Sequence, residues 1–281
     1  MSDLHFEQGF AGEWRNQYEK WPLTGWPVKA PYLILAGDIG RAVKHFDQLR
    51  SFLAKRCDEY QRVFYLLGNK EFPNKENLDH AAVIQKVWSL TKESRMRGRL
   101  IFLDRIRYDL RDNGAFISIL GCSLWTKVRE DQVQNIYNYP PNHLEDVPGN
   151  SVPKHNGRFE RDFKWLKEEV KKIRSEKEGS ERKIMIITHH SPFLRGGSEH
   201  TDNIQHGLSE IYSFYNNDIL GGCGIEGLGI GDMWVYGHTH YTNDLFIDDV
   251  RVYSNQRGSG CPSRIENPGH HDFDLERTFE F

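Results

Sequence analysis

One pattern recurs along the chain: a short apolar run stops abruptly at polar residues that can carry chemistry. Short apolar runs bounded by Gly, Asn or Asp are typical of buried strands. We therefore predict a strand in each such segment. The runs are PYLILAGD (31–38), RVFYLLGNKE (62–71), KIMIITHH (183–190) and DMWVYGHTH (232–240).

A helical repeat lies between the first two runs. Phe46, Leu49, Leu53 and Cys57 recur at helical spacing, which predicts a helix with one apolar face. A strand, a helix and a second strand in this order favour a parallel βαβ unit. The same reasoning predicts helices near 77–97 and 159–177, short strands at 99–104, 106–111 and 114–121, and a hairpin over 243–255.

The chain is long enough for one large domain or two small ones. Its 281 residues are 38% hydrophobic, which is ample material for a buried core. We expect a single domain over residues 1–281. The stretch 138–159 contains four prolines and no periodicity, so we expect a surface insertion there, a candidate lid rather than an interdomain linker.

Charge and composition narrow the class of partners. The net charge of −3 and the lack of basic amphipathic segments disfavour a nucleic-acid or membrane-surface protein, although a local basic groove stays open. No apolar run approaches the ~20 residues of a membrane span, and no signal peptide is visible. The four cysteines lack CxxC spacing, so we expect reduced thiols in a cytoplasmic protein. The first motif begins at Ser2, so either the true start lies upstream or the first strand is nearly absent.

Each strand-like run ends at a side chain that can bind a metal. In open α/β sheets, ligands collect beyond the carboxyl ends of the strands. In extended backbone, residues i and i+2 project to the same side, so we expect Asp3 and His5 to aim at one point, and likewise His238 and His240. The seven candidate ligands are Asp3, His5, Asp38, Asn69, His189, His238 and His240.

These side chains suit two metal ions rather than one. Two carboxylates, four imidazoles and one amide exceed the needs of a single tetrahedral ion, and a shared Asp38 would give four ligand bonds to each of two ions. Mixed nitrogen and oxygen ligands favour Mn, Fe, Zn or Mg over a soft metal. Two ions about 3.5–4 Å apart would activate a bridging hydroxide and clamp a phosphoryl group during in-line displacement.

Five short motifs carry these residues: SDLHFE (2–7), GDIG (37–40), GNKE (68–71), THH (188–190) and GHTH (237–240). In this order they resemble the motifs of the calcineurin-like metallophosphoesterases. The resemblance implies a metal-dependent hydrolase of a phosphomonoester or phosphodiester. It also implies an α/β fold, a four-layer α/β/β/α sandwich with two mixed sheets. It assigns Asp3, His5, Asp38 and His240 to one ion, and Asp38, Asn69, His189 and His238 to the other.

Lys70 departs from the family pattern, which usually has histidine between Asn and Glu, facing the phosphate and leaving group. Lysine keeps a positive donor there, but it is longer and more strongly hydrated. One hypothesis is that Lys70 still stabilises the phosphoryl charge or protonates the leaving oxygen. The alternative is impaired catalysis, in a binding module that keeps the fold. The predicted catalytic residues are Asp38, Asn69, Lys70 and His189.

Residues around the motifs supply candidate supporting and substrate contacts. We expect Glu71 to make a supporting hydrogen bond rather than bind metal, and His190 to pack in the core or support a ligand. The segments 138–159 and 195–206 adjoin motif strands, so either could cover the site; the alternative for each residue is a solvated loop. The predicted substrate contacts are Lys70, His155, Arg158, Arg195, His200 and His206.

The expected partner is a small-molecule phosphate ester. A nuclease-type phosphodiesterase is the alternative that the near-neutral charge disfavours without excluding. No sequence feature separates a phosphatase from a phosphodiesterase, or indicates an oligomeric state.

Overall fold

The computed structural model describes residues 1–7, 18, 25–73, 77–112, 114–138, 143–179, 181–194, 210–258 and 273–281. The strands are β1 (Tyr32–Ala36), β2 (Arg62–Leu66), β3 (Leu100–Phe102), β4 (Ile106–Asp112), β5 (Ala115–Cys122), β6 (Lys183–Thr188), β7 (Met233–Val235), β8 (Asn243–Ile247) and β9 (Val250–Ser254). The α-helices are α1 (Phe46–Glu59), α2 (His80–Leu90), α3 (Val133–Asn138) and α4 (Val152–Ser175). Single helical turns lie at Ser94–Met96, Glu130–Gln132, His143–Asp146, Tyr212–Phe214 and Ile219–Cys223.

The described strands form two sheets. The first has the order β1-β2-β3 and the second β4-β5-β6-β7-β9-β8. Strands β1 and β2 are parallel, which confirms the predicted βαβ unit. Strands β8 and β9 form the predicted hairpin, turning at Asp248 and Asp249, whose φ angles of 51° and 63° suit a two-residue turn. The larger sheet is mixed, but the three-stranded sheet is parallel over the described residues, so the expectation of two mixed sheets was wrong for one of them.

Alternating side chains divide the molecule into layers. Leu33 and Leu35 of β1 pack in one apolar cluster with Leu49 and Leu53 of α1. The other face of the sheet contributes Ala36, Phe64 and Leu66 to a second cluster, shared with inward residues of the larger sheet such as Ile119 and Met185. The far face of the larger sheet packs on Leu166, Val170 and Ile173 of α4. Helix, sheet, sheet and helix therefore follow one another, as the four-layer expectation required.

Helix α4 begins at Val152, several residues before the predicted start at 159. The Ser151 side chain accepts a hydrogen bond from the backbone N–H of Lys154, and Pro153 lies in the first turn, where its missing N–H costs nothing. These capping residues are visible in the sequence, but the prolines around them suggest a loop. The later part of the stretch 138–159 is thus the start of a helix; a lid role stays a prediction.

Two remaining expectations concern membranes and thiols. Over the described ranges, no helix combines the length and apolarity of a membrane span. Cys57 and Cys122 are buried free thiols and Cys223 is an exposed one. Cys57 lies in the core, as predicted from its helical spacing. Cys261 lies outside the described residues.

Candidate metal centre

The N-terminal segment runs alongside the carboxyl end of β1. The backbone N–H of Asp3 donates to the Gly37 carbonyl at 3.0 Å, and the N–H of His5 donates to the Asp38 carbonyl at 2.9 Å. On its other side, the N–H of Ser2 donates to the Asn255 carbonyl at 3.1 Å, just after β9. This short segment therefore joins the two sheets and brings its side chains to the ends of their strands.

Asp3, His5 and His240 form the first ligand group, with one potential ligand atom from each lying within 4.8 Å of the others. The Nε2 atoms of His5 and His240 are 3.0 Å apart, and Nε2 of His240 is 3.5 Å from Asp3 Oδ1. Nδ1 of His5 is 2.8 Å from Oε1 of Glu7, an acceptor, so the Nδ1–H donates there. In neutral His5 the lone pair of Nε2 therefore faces the group.

Asp38, His189 and His238 form the second ligand group, with the same spacing limit of 4.8 Å. Nε2 of His189 lies 3.5 Å from Asp38 Oδ1 and 3.2 Å from His238 Nδ1. Nδ1 of His189 donates to the Ala36 carbonyl at 3.0 Å, which directs the Nε2 lone pair of the neutral ring into the group. The Asn69 amide oxygen adds a fourth candidate, 3.2 Å from the same Nε2.

Asp38 lies between the two groups. Its Oδ2 is 4.0 Å from His5 Nε2 in the first group, and its Oδ1 is 3.5 Å from His189 Nε2 in the second. Carboxylate oxygens, an amide oxygen and imidazole lone pairs thus converge from all sides, and acceptors cannot hydrogen-bond one another. A cation satisfies such a set, so the residues present fit divalent metal ions.

Burial and mutual charge set the pKa values here. Burial opposes the charge on His189, but the Asp38 carboxylate outweighs it and raises the pKa of His189 to about 9. Burial likewise favours the neutral form of Asp38, but the imidazoles, His189 first, hold the pKa of that carboxyl well below its usual range. Burial and two neighbouring histidines hold the pKa of His238 well below its usual range. The Asp38 carboxylate therefore favours the protonated form of His189.

The backbone brings these side chains together differently from our expectation. Asp3, His5, Asp38, His238 and His240 all have positive φ angles, between 49° and 74°. The i, i+2 argument assumed extended strand backbone, and left-handed turns take its place. Asp3 and His5 still belong to one group, as expected, but His238 and His240 do not aim at one point: they belong to different groups. The division between the groups agrees with the one that the family resemblance implied.

Glu71 holds the loops beneath the second group together. Its buried carboxylate accepts hydrogen bonds from the backbone N–H groups of Asp38, Ile39 and Gly68 at 2.8–3.0 Å. Burial and the nearby Asp38 charge raise the pKa of Glu71 to about 8. This is the supporting hydrogen bonding that we predicted for Glu71. Gly68 is required here because a Cβ would overlap Asp38 and His189.

Lys70 points toward a partner that sequence analysis did not identify. Its Nζ lies 2.8 Å from Oδ2 and 3.1 Å from Oδ1 of Asp146, which is on the turn His143–Asp146. The same carboxylate accepts a hydrogen bond of 2.8 Å from the Asn69 amide. At the other end of Lys70, its backbone N–H donates to Asp38 Oδ1 at 2.7 Å. Lys70 therefore lies directly beside the second group.

The remaining predicted residues lie at different depths. His190 is buried beside His238, with ring centroids 4.3 Å apart, and its expected supporting role fits this position. His155 is only 2% exposed, packs on Trp125 and Phe214, and burial lowers its pKa to about 3. This placement favours a supporting role for His155 over substrate contact.

Arg158 places its guanidinium 5.2 Å from the Trp125 ring and donates to the Asn150 side chain. Burial lowers its pKa to about 10. The other three predicted substrate contacts, Arg195, His200 and His206, lie outside the described residues.

A family model described as calcineurin-like phosphoesterase matches residues 1–242. The chain is 26% identical over 277 residues to the uncharacterized protein L509 of Acanthamoeba polyphaga mimivirus, covering 95% of this chain and 93% of that protein. It also resembles the crystal structure of phosphopantetheinyl hydrolase (PptH) from Mycobacterium tuberculosis, with a TM-score of 0.61 and 16% identity over 95% of this chain and 91% of that one. At this identity the structural likeness concerns the fold alone.

Proposed function

Because the chain belongs to the calcineurin-like phosphoesterase family, whose members are metal-dependent phosphoester hydrolases, we propose that it hydrolyses a small phosphate ester with two metal ions. Asp3, His5 and His240 would hold one ion, and Asn69, His189 and His238 the other. When bound, such a pair of ions supplies an activated water nucleophile and neutralises charge on the phosphoryl oxygens.

The position of Asp38 carries this proposal. Its two oxygens face different ligand groups, at 4.0 Å and 3.5 Å from their nearest imidazole nitrogens. A carboxylate placed in this way could be shared by two ions, as a two-metal phosphoesterase centre requires. Two unrelated mononuclear sites would not need this arrangement.

The chain's own residues would divide the remaining work. Glu7 and the Ala36 carbonyl fix the tautomers of His5 and His189, so that lone pairs face inward. The Lys70 ammonium, held near Asn69 by Asp146, lies where it could stabilise phosphoryl charge or donate a proton to the leaving oxygen. A histidine there would be compact and titratable near neutral pH; a lysine keeps its charge further from its backbone.

A substrate panel tests the proposal. Metal-free protein loaded with Mn²⁺ should hydrolyse p-nitrophenyl phosphate, its bis ester, or both, and the ratio of the two kcat/KM values reports the preference for monoesters or diesters. Metal analysis should find two equivalents per chain. A stoichiometry of one, with activity intact, would contradict the two-ion proposal.

A binding module without turnover is the second candidate, and Lys70 is the observation that favours it. This candidate keeps the fold and the ligands but replaces the family's histidine. The binding-module candidate is supported if the protein binds two equivalents of Mn²⁺, hydrolyses neither ester, and remains inactive after Lys70→His. Restored turnover in Lys70→His would instead place the defect at this one side chain.

A further inference from the structure

We propose that Asp146 is a positioning residue that fixes both the Asn69 amide and the Lys70 ammonium beside the second ligand group. The inference rests on the proposed function, because it assigns Asp146 a role in that same centre. Asp146 lies 77 residues after Asn69 in the chain, on a turn that belongs to none of the sequence motifs. Its contribution comes from the contacts it makes with both residues at once.

The first contact settles which way the Asn69 amide points. A carboxylate can only accept hydrogen bonds, so the Asp146 contact at 2.8 Å identifies its Asn69 partner as the NH2 group. The amide oxygen then faces inward, 3.2 Å from His189 Nε2. An unsupported asparagine could present either end to a cation, and only the oxygen binds one. Asp146 therefore selects the orientation that can bind metal.

The second contact places the Lys70 charge. Both carboxylate oxygens of Asp146 lie within 3.1 Å of Nζ, and the two side chains are only 21% and 14% exposed. The backbone N–H of Lys70 is bound to Asp38, so the residue is held at both ends. A long, flexible side chain loses rotamer freedom in such a clamp, and the ammonium is ordered before substrate arrives.

Asp146 is itself held by packing. Leu144 and Val147 on either side of it are 3% and 1% exposed and belong to two different apolar clusters. Leu144 packs with Val128, Ile136 and Val152, while Val147 joins the main core. The residues flanking Asp146 therefore connect the main core to the small apolar cluster that contains Leu144. A carboxylate on so anchored a turn suits positioning better than a lid that swings away.

An inhibitory strap is the opposing interpretation, with Asp146 neutralising Lys70 and blocking substrate. The geometry disfavours it because Asp146 contacts the NH2 end of Asn69, the end turned away from the ligand atoms. A strap that blocked the metals would be expected to contact the inward-facing atoms. Positioning predicts that loss of Asp146 lowers turnover, and inhibition predicts that it raises turnover.

Two variants separate the two contacts. Asp146→Asn keeps the shape and one acceptor oxygen for the Asn69 amide but removes the charge facing Lys70. Asp146→Ala removes both. Asp131→Asn is the matched control, because Asp131 is an exposed carboxylate that pairs with Arg129 and belongs to neither ligand group. Each metal-free variant is titrated with Mn²⁺ by calorimetry and assayed for kcat and KM on the better ester.

For Asp146→Ala, one of the two Mn²⁺ equivalents should weaken by about 10- to 100-fold while the other stays unchanged. For Asp146→Asn, both Mn²⁺ affinities should stay near the original values and kcat should fall by about tenfold with KM little changed. The control should behave like the original protein. Unchanged Mn²⁺ affinity in Asp146→Ala, or a rise in kcat in either variant, would overturn the proposal.

The Mn²⁺ titration also keeps this inference distinct from the proposed function. If the original protein hydrolyses no ester, the proposed function fails. The Mn²⁺ titration of Asp146→Ala still shows whether Asp146 orients Asn69, because only one of the two Mn²⁺ equivalents should weaken. If Asp146→Ala melts well below the original protein, the kcat of the isosteric Asp146→Asn variant tests the positioning role instead. General unfolding would weaken both Mn²⁺ equivalents together, which positioning does not predict.

Discussion

The two ligand groups are assembled in different ways. The second group grows out of the sheets: Asp38 and His189 follow β1 and β6, and His189 is bound to a backbone carbonyl beneath it. The first group depends on the docked N-terminal segment. Each group includes one half-buried histidine, His240 in the first and His238 in the second. The supports differ too, since His5 is held by the Glu7 side chain rather than by the main chain. Asp38 and His189 therefore extend strands directly, whereas the first group is completed by a segment laid across the strand ends.

The largest effect is expected where the two groups meet. Asp38→Ala removes the side chain whose two oxygens face both groups, so both ions should bind weakly. We expect kcat/KM to fall by about 10³-fold or more, equivalent to several kcal/mol of lost transition-state stabilisation. Steady-state kinetics and metal analysis measure both effects. Retained activity would show that Asp38 does not bridge two ions.

Single-ligand variants test whether the second group is the more deeply built. His189→Ala leaves Asp38 buried without its charged partner, and we expect about 3 kcal/mol lower stability of the metal-free protein. His240→Ala acts at a partly exposed side chain and should cost about 1 kcal/mol. Urea unfolding of the metal-free proteins provides the comparison. Equal losses would show that the two groups are equally embedded.

Because Lys70 lies beside the second group, substituting it tests whether catalysis depends on a side chain at that group. Lys70→Ala should lower kcat by about 10²-fold and leave the Mn²⁺ stoichiometry unchanged, whereas Lys70→His should keep most of the activity. The assay is kcat on both nitrophenyl esters. If Lys70→Ala matches the original protein, the side chain has no catalytic role and its contact with Asp146 is structural.

The pH dependence of metal binding gives the mildest test. The His189 pKa is raised from 6.5 to about 9, so the stability contributed by the His189–Asp38 pair is complete below pH 6.5 and is lost as the pH rises through 9. A cation must displace that proton, so the increase in Tm on adding metal should grow from pH 6.5 to pH 9. Thermal melts with and without Mg²⁺ measure this. In His189→Ala the slope for the metal-free protein should flatten, and an unchanged slope would point to another group.

The strand-end residues could be found from the sequence because their signal is local. Five of the seven candidate ligands follow an apolar run of only a few residues, and Asp3 and His5 are the exceptions. The structure brings all seven together, although their role as ligands stays a prediction. The βαβ unit and the hairpin were predictable for the same reason: both join neighbouring segments. The direction of each side chain was not predictable in this way. Asp3 and His5 share one group while His238 and His240 belong to different groups, although all four residues have left-handed backbone.

Contacts between distant segments were beyond sequence reasoning. Nothing near Asp146 marks it as a partner of Lys70, since their proximity depends on how Leu144 and Val147 pack. The role of Glu7 was easier to predict, because Glu7 continues the alternation from Asp3 and His5 and lies within the first motif. Residues that orient a ligand need only one hydrogen bond and a position, and many sequences could supply both.

The left-handed backbone restricts which amino acids the ligand positions of this centre tolerate. Asp, Asn and His are among the side chains that most readily accept positive φ, and Asp and His occupy all five such positions among the ligands. The requirement for a metal donor and the requirement of the turn therefore select from nearly the same small set. A glutamate or cysteine, acceptable as a donor elsewhere, carries a conformational penalty here. The loops thus help to dictate the metal chemistry, because they admit hard and intermediate donors while discouraging thiolates.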